Sequence, residues 1–223
     1  MQDYIKWFDG IGSGDVSLVG GKNAALGELY SRLTEQGLRV PNGFAVTADA
    51  YRLLLDQGGL REALQEQLAA WDHHSTDDLV RRARVCRELI YNTQIPEVLA
   101  EQIQQAHAQL VAQYGEELTV AVRSSATAED LPNASFAGQH DSYLNVRGGA
   151  ALIDACRRCI ASVFTERALQ YRNAQGFEHL DVALSIGIMK MVRSDLAASG
   201  VIFTLDTESG FPGVILLTAA YGL

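Results

Sequence analysis

The chain has 223 residues, of which 48% are hydrophobic, and its 18 basic against 27 acidic residues give a formal net charge of −9. The length and composition predict a folded core, whereas the acidic balance argues against nucleic acid as a partner, because neutralising a phosphate backbone needs excess basic residues. No apolar run approaches the roughly 18 residues of a membrane span and the N-terminus lacks a signal-peptide core, so we expect no membrane contact and a cytoplasmic location.

The first predicted helix follows the segment Gly20-Gly21-Lys22-Asn23. Its apolar residues recur at helical spacing, and the pattern closes near Gly37. Unpaired N–H groups and the positive end of the helix dipole favour an anion at such a helix start, where Lys22 adds a full charge. The alternative is a Gly-Gly helix entry with a solvated lysine, and the segment is not a Walker A loop. Its value as a phosphate signal depends on a second cation, Arg123.

A short strand and several scaffold helices are predicted next. Pro41 belongs to a turn that leads into the strand Phe44–Val46. Thr47 and Thr76 are candidate N-caps, and Pro96 suits a first helical turn. The predicted helices cover residues 48–56, 59–71, 77–91 and 96–114.

The most informative stretch begins with a buried strand at Leu118–Val122, which leads directly to Arg123. Arginine holds a phosphate bidentately and keeps its charge near neutral pH. Small hydroxyl residues follow, and a second small-residue loop with Gly138 enters the strand-like segment Ser142–Val146, so that backbone N–H groups can approach an anion. The alternative is a polar hairpin in which Arg123 pairs with Glu129 or Asp130.

The last third of the chain combines predicted helical segments with β-rich segments. A helical stretch opens at Gly148-Gly149 and ends near Gly176, which predicts a small second lobe. Three strands follow, at residues 182–189, 199–204 and 214–218, and their close spacing predicts an antiparallel sheet. Cys156 and Cys159 have C-x-x-C spacing, but with no second ligand pair they are expected to be reduced core residues.

These motifs resemble the phosphoenolpyruvate synthase family, whose relatives include pyruvate phosphate dikinase and rifampicin phosphotransferase. The resemblance is carried by VGGKNAALGEL, by AVRSSATAEDLPNASFAGQHDSYLNV and by MVRSDLAASGVIFTLDTESGF with LLTAAYGL. It implies an α+β, ATP-grasp-like nucleotide-binding domain, with helices packed on a mainly antiparallel sheet. Residues 1–223 would form part of that domain, divided into one lobe of 1–146 plus 181–223 and a small helical lobe of 147–180.

The resemblance also assigns candidate site residues. Lys22, Arg123, Gly138 and Ser142 would bind the phosphates of ATP. The segment Met189-Lys190-Met191-Val192 would line the adenine. Many relatives carry glutamine where this chain has Met189, so the backbone of Lys190 to Val192 is the expected reader of the base edge. His140 follows the Gly138 loop, at a position where many relatives have glutamine. Two roles are open for it: a charged imidazole that assists phosphate binding, or a neutral side chain that replaces the glutamine as a hydrogen-bonding group.

The implied activity is conversion of ATP, pyruvate and water to AMP, phosphoenolpyruvate and phosphate through a phosphohistidine, with Mg²⁺ as cofactor. No histidine of this chain stands in a phosphohistidine context, so catalytic and metal-binding residues are expected on parts absent from a fragment ending at Leu223. Pyruvate and phosphoenolpyruvate would bind those absent parts, and the full-length enzyme would suit a homodimer. The alternatives are a rifampicin phosphotransferase-type domain and a non-catalytic anion-binding module.

Overall fold

A computed structural model of the chain describes residues 2–127, 130–131, 134–135 and 141–222, with the backbone alone at 130, 131, 134 and 135. By their contacts, the residues form two compact units, Met1–Met191 and Val192–Leu223. The described helices are α1 (Val16–Thr34), α2 (Ala48–Leu55), α3 (Leu60–Ala69), α4 (Thr76–Asn92), α5 (Glu97–Tyr114), α6 (Gly149–Ala161) and α7 (Glu166–Gln175). The described strands are β1 (Ile5–Trp7), β2 (Gly43–Val46), β3 (Val120–Ala126), β4 (Asp130–Leu131), β5 (Ala134–Ser135), β6 (Ser142–Val146), β7 (Leu184–Lys190), β8 (Ala198–Phe203) and β9 (Leu216–Tyr221).

A five-stranded sheet in the order β1-β2-β7-β3-β6 organises the first unit. Every neighbouring pair in it is antiparallel. The α+β class and the antiparallel sheet are therefore confirmed. Strand β7 lies between β2 and β3, although it follows β3 by more than fifty residues in the chain.

The main core covers one face of this sheet. Alternating residues of the central strands, such as Phe44, Val122 and Ile188, are completely buried there. They join apolar side chains from helices α2 to α7 in one continuous cluster. Burying such side chains stabilises the fold by about 1.5–3 kcal/mol each relative to leaving them exposed. Helices α6 and α7 contribute to this core within the first unit. The division of the chain into a main lobe and a small helical lobe of residues 147–180 stays a prediction.

The opposite face of the sheet carries α1. A smaller cluster of Phe8, Ile11, Val19, Ala24 and Ala45 packs there. The sheet residues under the helix are small, which lets the helix backbone approach closely. A Cβ added at Gly187 would lie 2.2 Å from Asn23 Oδ1 of α1.

The helix termini refine the sequence predictions. Ser75, rather than Thr76, caps α4 by accepting a hydrogen bond from the Asp78 N–H at 3.2 Å. Thr47 does stand at the N-cap of α2, but its buried Oγ1 has no hydrogen-bond partner within the part of the chain described. Helix α1 ends at Thr34, and Gly37 follows with a φ of +82°, so the predicted closure near Gly37 is confirmed.

The second unit is built on a hairpin of β8 and β9, which pair antiparallel from Ala198↔Tyr221 to Phe203↔Leu216. The prediction that residues 182–189, 199–204 and 214–218 form one sheet is therefore wrong. The first of these strands, β7, has its hydrogen-bonding edges filled by β2 and β3. The hairpin also exposes large apolar side chains, including Ile202 at 63% and Ile215 at 73%. Among the described residues, no helix is both long enough and apolar enough to cross a bilayer.

Arg172 of α7 is a buried cation in the main core. Its Nη2 donates to Val163 O at 2.7 Å, and its Nε donates to Nδ1 of half-buried His179 at 3.2 Å. Burial, together with the charges of Arg172 and His73, lowers the pKa of His179 from 6.5 to about 4. His179 is therefore a neutral acceptor in the folded protein at neutral pH.

This arrangement predicts a pH-dependent stability. Below pH 6.5 the unfolded chain protonates His179, whereas the folded chain does so only near pH 4, so the contribution of the neutral imidazole is complete above pH 6.5 and is lost as the pH falls toward 4. We expect a His179→Gln variant, which keeps an acceptor for Arg172, to lose less stability than the parent between pH 7 and 4.5. Thermal unfolding across this range measures the difference. The exposed His74→Gln variant should follow the parent, and equal curves for all three proteins would contradict the assignment.

Candidate functional site

The start of α1 is broken by Gly20, whose φ of +74° and ψ of +161° interrupt the helix. The position needs glycine for a second reason, because an added Cβ would lie 2.4 Å from the Ser125 carbonyl oxygen. The uninterrupted part of the helix thus begins directly after Gly20 and carries Lys22 in its first turn. This agrees with the predicted helix start, although a short helical segment from Val16 precedes the break.

Asn23 fastens this helix start to the sheet. Its backbone N–H donates to Ser125 Oγ of β3 at 3.3 Å, and its Nδ2 donates to Ser185 Oγ of β7 at 3.1 Å. The same Nδ2 donates to Val19 O across the break at 3.0 Å. Ser185 Oγ in turn donates to Val46 O of β2 at 2.7 Å. Three strands therefore fix the position of the residue that follows Lys22.

Arg123 is the exposed residue of a strand whose other members are buried. In the sheet register it stands opposite Gly187 of β7 and opposite Ser142 of β6. Directly opposite residues of antiparallel strands project from the same face, so the Arg123 and Ser142 side chains are neighbours. Gly187 has no side chain beside Arg123, and Asn23 Oδ1 of α1 occupies that space.

Lys22 and Arg123 meet at one small pocket, which we call the Lys22–Arg123 pocket. It is lined by Lys22, Asn23, Leu26, Arg123, Ser124, Gly187 and Met189. Its volume of about 10 Å³ holds roughly one water molecule. That volume is too small for a nucleotide. Two basic side chains from elements a hundred residues apart in the chain make the pocket suited to an anion.

The remaining predicted residues divide into two groups. Met189 lines the pocket with Lys22 and Arg123, and it packs against the smaller core cluster. Lys190 projects from the opposite face, where its Nζ lies 4.8 Å from the centre of the Tyr114 ring. Gly138 and His140 lie outside the described residues. Val192 begins the second unit and is 59% exposed.

The backbone at the end of β7 is largely committed to the sheet. The Lys190 N–H donates to Asn42 O at 3.1 Å, and the Met191 N–H donates to Thr119 O at 2.9 Å. An adenine contact through either N–H group would have to replace one of these bonds. The reading of the base edge by the backbone of Lys190 to Val192 stays a prediction.

Two hydroxyl residues after Arg123, Ser125 and Thr127, form hydrogen bonds that support the fold. Ser124 and Ser125 are buried, and Ser125 Oγ accepts from Asn23. The Thr127 N–H and Oγ1 both donate to Ala183 O, at 3.0 and 3.1 Å. Ser142 is the exposed hydroxyl beside Arg123. The sequence suggested small hydroxyls near the phosphate, but their burial depends on pairing with β7, which the sequence does not reveal.

Three side chains of the first unit, Cys156, Cys159 and Tyr143, have raised pKa values. Burial raises the pKa of Cys156 to about 12, and it raises that of Cys159 well above 9, an effect that Cys156 and Asp141 reinforce and Lys22 opposes. Burial is also the main cause that raises the pKa of Tyr143 to about 12. The cysteines are free and buried, as expected for core residues. Over the described ranges, no three His, Cys, Asp or Glu residues are placed to hold a metal ion.

Comparison with known proteins adds independent information. The family model described as the pyruvate phosphate dikinase AMP/ATP-binding domain matches residues 16–223. The phosphoenolpyruvate synthase of Synechocystis sp. is 49% identical over 224 residues, covering 98% of this chain and 27% of the relative. The enzymes of that name from Helicobacter pylori and Escherichia coli are 50% and 48% identical, over 99% and 98% of this chain and 27% and 28% of the relatives. The chain spans about a quarter of the length of these curated relatives.

Proposed function

The chain belongs to the pyruvate phosphate dikinase AMP/ATP-binding domain family, and on that premise we propose that it is the ATP-binding part of a phosphoenolpyruvate synthase. The observation that carries the proposal is the convergence of Lys22 and Arg123 on one pocket inside the matched region. The names of the similar relatives favour the synthase over an antibiotic phosphotransferase.

The triphosphate of ATP binds above the Lys22–Arg123 pocket in this proposal. Lys22 supplies a point charge beside the N–H groups of a helix start, and Arg123 supplies a planar fork that matches two phosphate oxygens. Ser142 stands next to Arg123 as an additional donor. These side chains position the phosphates and neutralise their charge, which is the principal need of phosphoryl transfer.

The base lies toward Met189, whose flexible thioether packs against an aromatic ring face. Met189 is two residues along β7 from Gly187, the cross-strand neighbour of Arg123, so the base lies next to the phosphates along the strand. The ATP-grasp-like fold and the contribution of Gly138, Lys190, Met191 and Val192 belong to the same proposal.

Mg²⁺ enters with the nucleotide. Around the pocket, the described residues include no ready group of three ligands for it. That fits the usual behaviour of the ion, which keeps several waters and is held by one or two carboxylates and the substrate phosphates. When bound, it would screen the phosphate charge while Lys22 and Arg123 hold the outer oxygens.

The proposed reaction forms AMP, phosphoenolpyruvate and phosphate from ATP, pyruvate and water by way of a phosphohistidine. Because the relatives are almost four times as long as the chain, the phosphohistidine and the pyruvate site are assigned to sequence outside residues 1–223. The residues described here bind and orient ATP and perform no acid or base step.

Calorimetric titration with Mg-ATP tests the proposal. We expect residues 1–223 to bind Mg-ATP weakly, since a pocket of about 10 Å³ leaves most of the nucleotide open to water, where charge interactions are screened. A longer protein, which extends residues 1–223 to the full length of the relatives, should bind Mg-ATP more tightly and form AMP when pyruvate is present.

Two outcomes would contradict this account. One is the absence of saturable Mg-ATP binding by the longer chain. The other is pyruvate-dependent AMP formation by residues 1–223 alone, which would place the whole site within them.

A further inference from the structure

The buried side chain of Asn23 has no place in the phosphate contacts, yet it lines the Lys22–Arg123 pocket and is only 2% exposed. We infer that Asn23 is a positioning residue that holds Lys22 at the distance from Arg123 that a triphosphate requires. This inference rests on the proposed ATP-binding function.

The hydrogen bonds of Asn23 span the break in α1. Its Nδ2 donates both to Val19 O, before Gly20, and to Ser185 Oγ of the sheet. Gly20 leaves the helix without its normal backbone geometry at this point, so the side chain of Asn23 replaces a continuous helical ladder. The direction in which the first turn leaves the break, and with it the Cα of Lys22, is therefore set by these two bonds.

The contact of Asn23 with the sheet also fixes its position relative to Arg123. Asn23 Oδ1 occupies the space that a Cβ of Gly187 would fill, at 2.2 Å from the ideal position. Gly187 is the direct cross-strand neighbour of Arg123. Asn23 thus fixes the position of helix α1, which carries Lys22, relative to the part of β3 that carries Arg123.

The two bonds donated by Nδ2 set what this position tolerates. Aspartate would place negative charge where Nδ2 now donates to a carbonyl and a hydroxyl, and alanine would remove both Nδ2 bonds while keeping the backbone N–H bond to Ser125 Oγ. The chain offers a milder variant, Ser185→Ala, which removes one acceptor of Asn23 and the Ser185 bond to Val46 O but leaves the other two bonds of Asn23 in place.

The test compares affinities for Mg-ATP and for adenosine, which lacks phosphates, in the natural gene product. We expect Asn23→Ala to weaken Mg-ATP binding about tenfold and adenosine binding by less than about twofold, because only the phosphates depend on Lys22. Ser185→Ala should act in the same direction with a smaller effect. In a Lys22→Ala background, Asn23→Ala should add little, since its target is already gone. Asn173→Ala, at an exposed site on α7, is the matched control and should leave both affinities unchanged.

Equal losses for ATP and adenosine, or full additivity with Lys22→Ala, would overturn the inference and assign Asn23 a purely structural role. If Asn23→Ala fails to fold, unchanged ATP affinity in a folded Ser185→Ala protein would overturn it. Failure of the proposed function has a different signature, in which the parent protein does not prefer Mg-ATP to adenosine and Lys22→Ala has no effect.

Discussion

Replacing Arg123 with alanine in the natural gene product is expected to slow the proposed ATP-dependent phosphorylation of a histidine by at least about a hundredfold. The reason is that Arg123 is the exposed cation of β3 at the Lys22–Arg123 pocket, where its fork would hold phosphate oxygens. Lys22→Ala should act in the same direction. Arg123→Lys, which keeps the charge but loses the bidentate geometry, should lie between the parent and Arg123→Ala.

The second half-reaction provides an internal control. Phosphorylation of the same histidine by phosphoenolpyruvate uses a separate site in the proposed mechanism and should be unchanged in all these variants. Arg147→Ala is a matched surface control, because Arg147 is exposed and pairs with Glu117 at the opposite end of the β3–β6 pair. Equal loss in both half-reactions would indicate a folding defect and contradict the assignment of Arg123 to ATP.

Replacing Gly20 with alanine is expected to be among the most destabilising single changes in the first unit. An alanine there adopts a φ of +74° and brings its Cβ to 2.4 Å from the backbone oxygen of Ser125, which cannot move without disturbing β3. A positive φ with an extended ψ, which essentially only glycine adopts, costs about 1–3 kcal/mol for alanine, and the backbone clash should raise the total loss in the free energy of unfolding to about 3 kcal/mol or more.

Gly37 separates the two causes. It has a φ of +82°, but an added Cβ would have no atom within 4 Å, so Gly37→Ala should cost only the strain. Urea unfolding followed by tryptophan fluorescence reports on the first unit, because Trp7 and Trp71 both belong to it. Equal losses for Gly20→Ala and Gly37→Ala would contradict the close approach of α1 to β3.

Local patterns predicted most of the individual elements. The strand at Phe44–Val46 and the helix at 97–114 follow from residue type and periodicity, which act over a few neighbours. The strand Ile5–Trp7 was missed because three residues carry too short a pattern. The grouping of the last three strands was wrong because β7 pairs with β2 and β3, and such distant pairing leaves no local signal.

The candidate site shows the same division. Chemistry of residue types singled out Lys22 and Arg123, and the structure brings them to one pocket. The sequence did not reveal Asn23, because its importance comes from hydrogen bonds to Ser125 and Ser185, more than a hundred residues away. The same contacts explain why Ser125 supports the helix start.

The most direct test of the central claim is a crystal structure of the natural gene product with Mg²⁺ and a non-hydrolysable ATP analogue. The account predicts phosphate oxygens within about 3 Å of both Lys22 Nζ and the Arg123 guanidinium, with adenine toward Met189. A triphosphate bound elsewhere, for example among Arg84, Arg87 and Arg158 in the cavity between α4 and α6, with Lys22 and Arg123 making no contact, would contradict it.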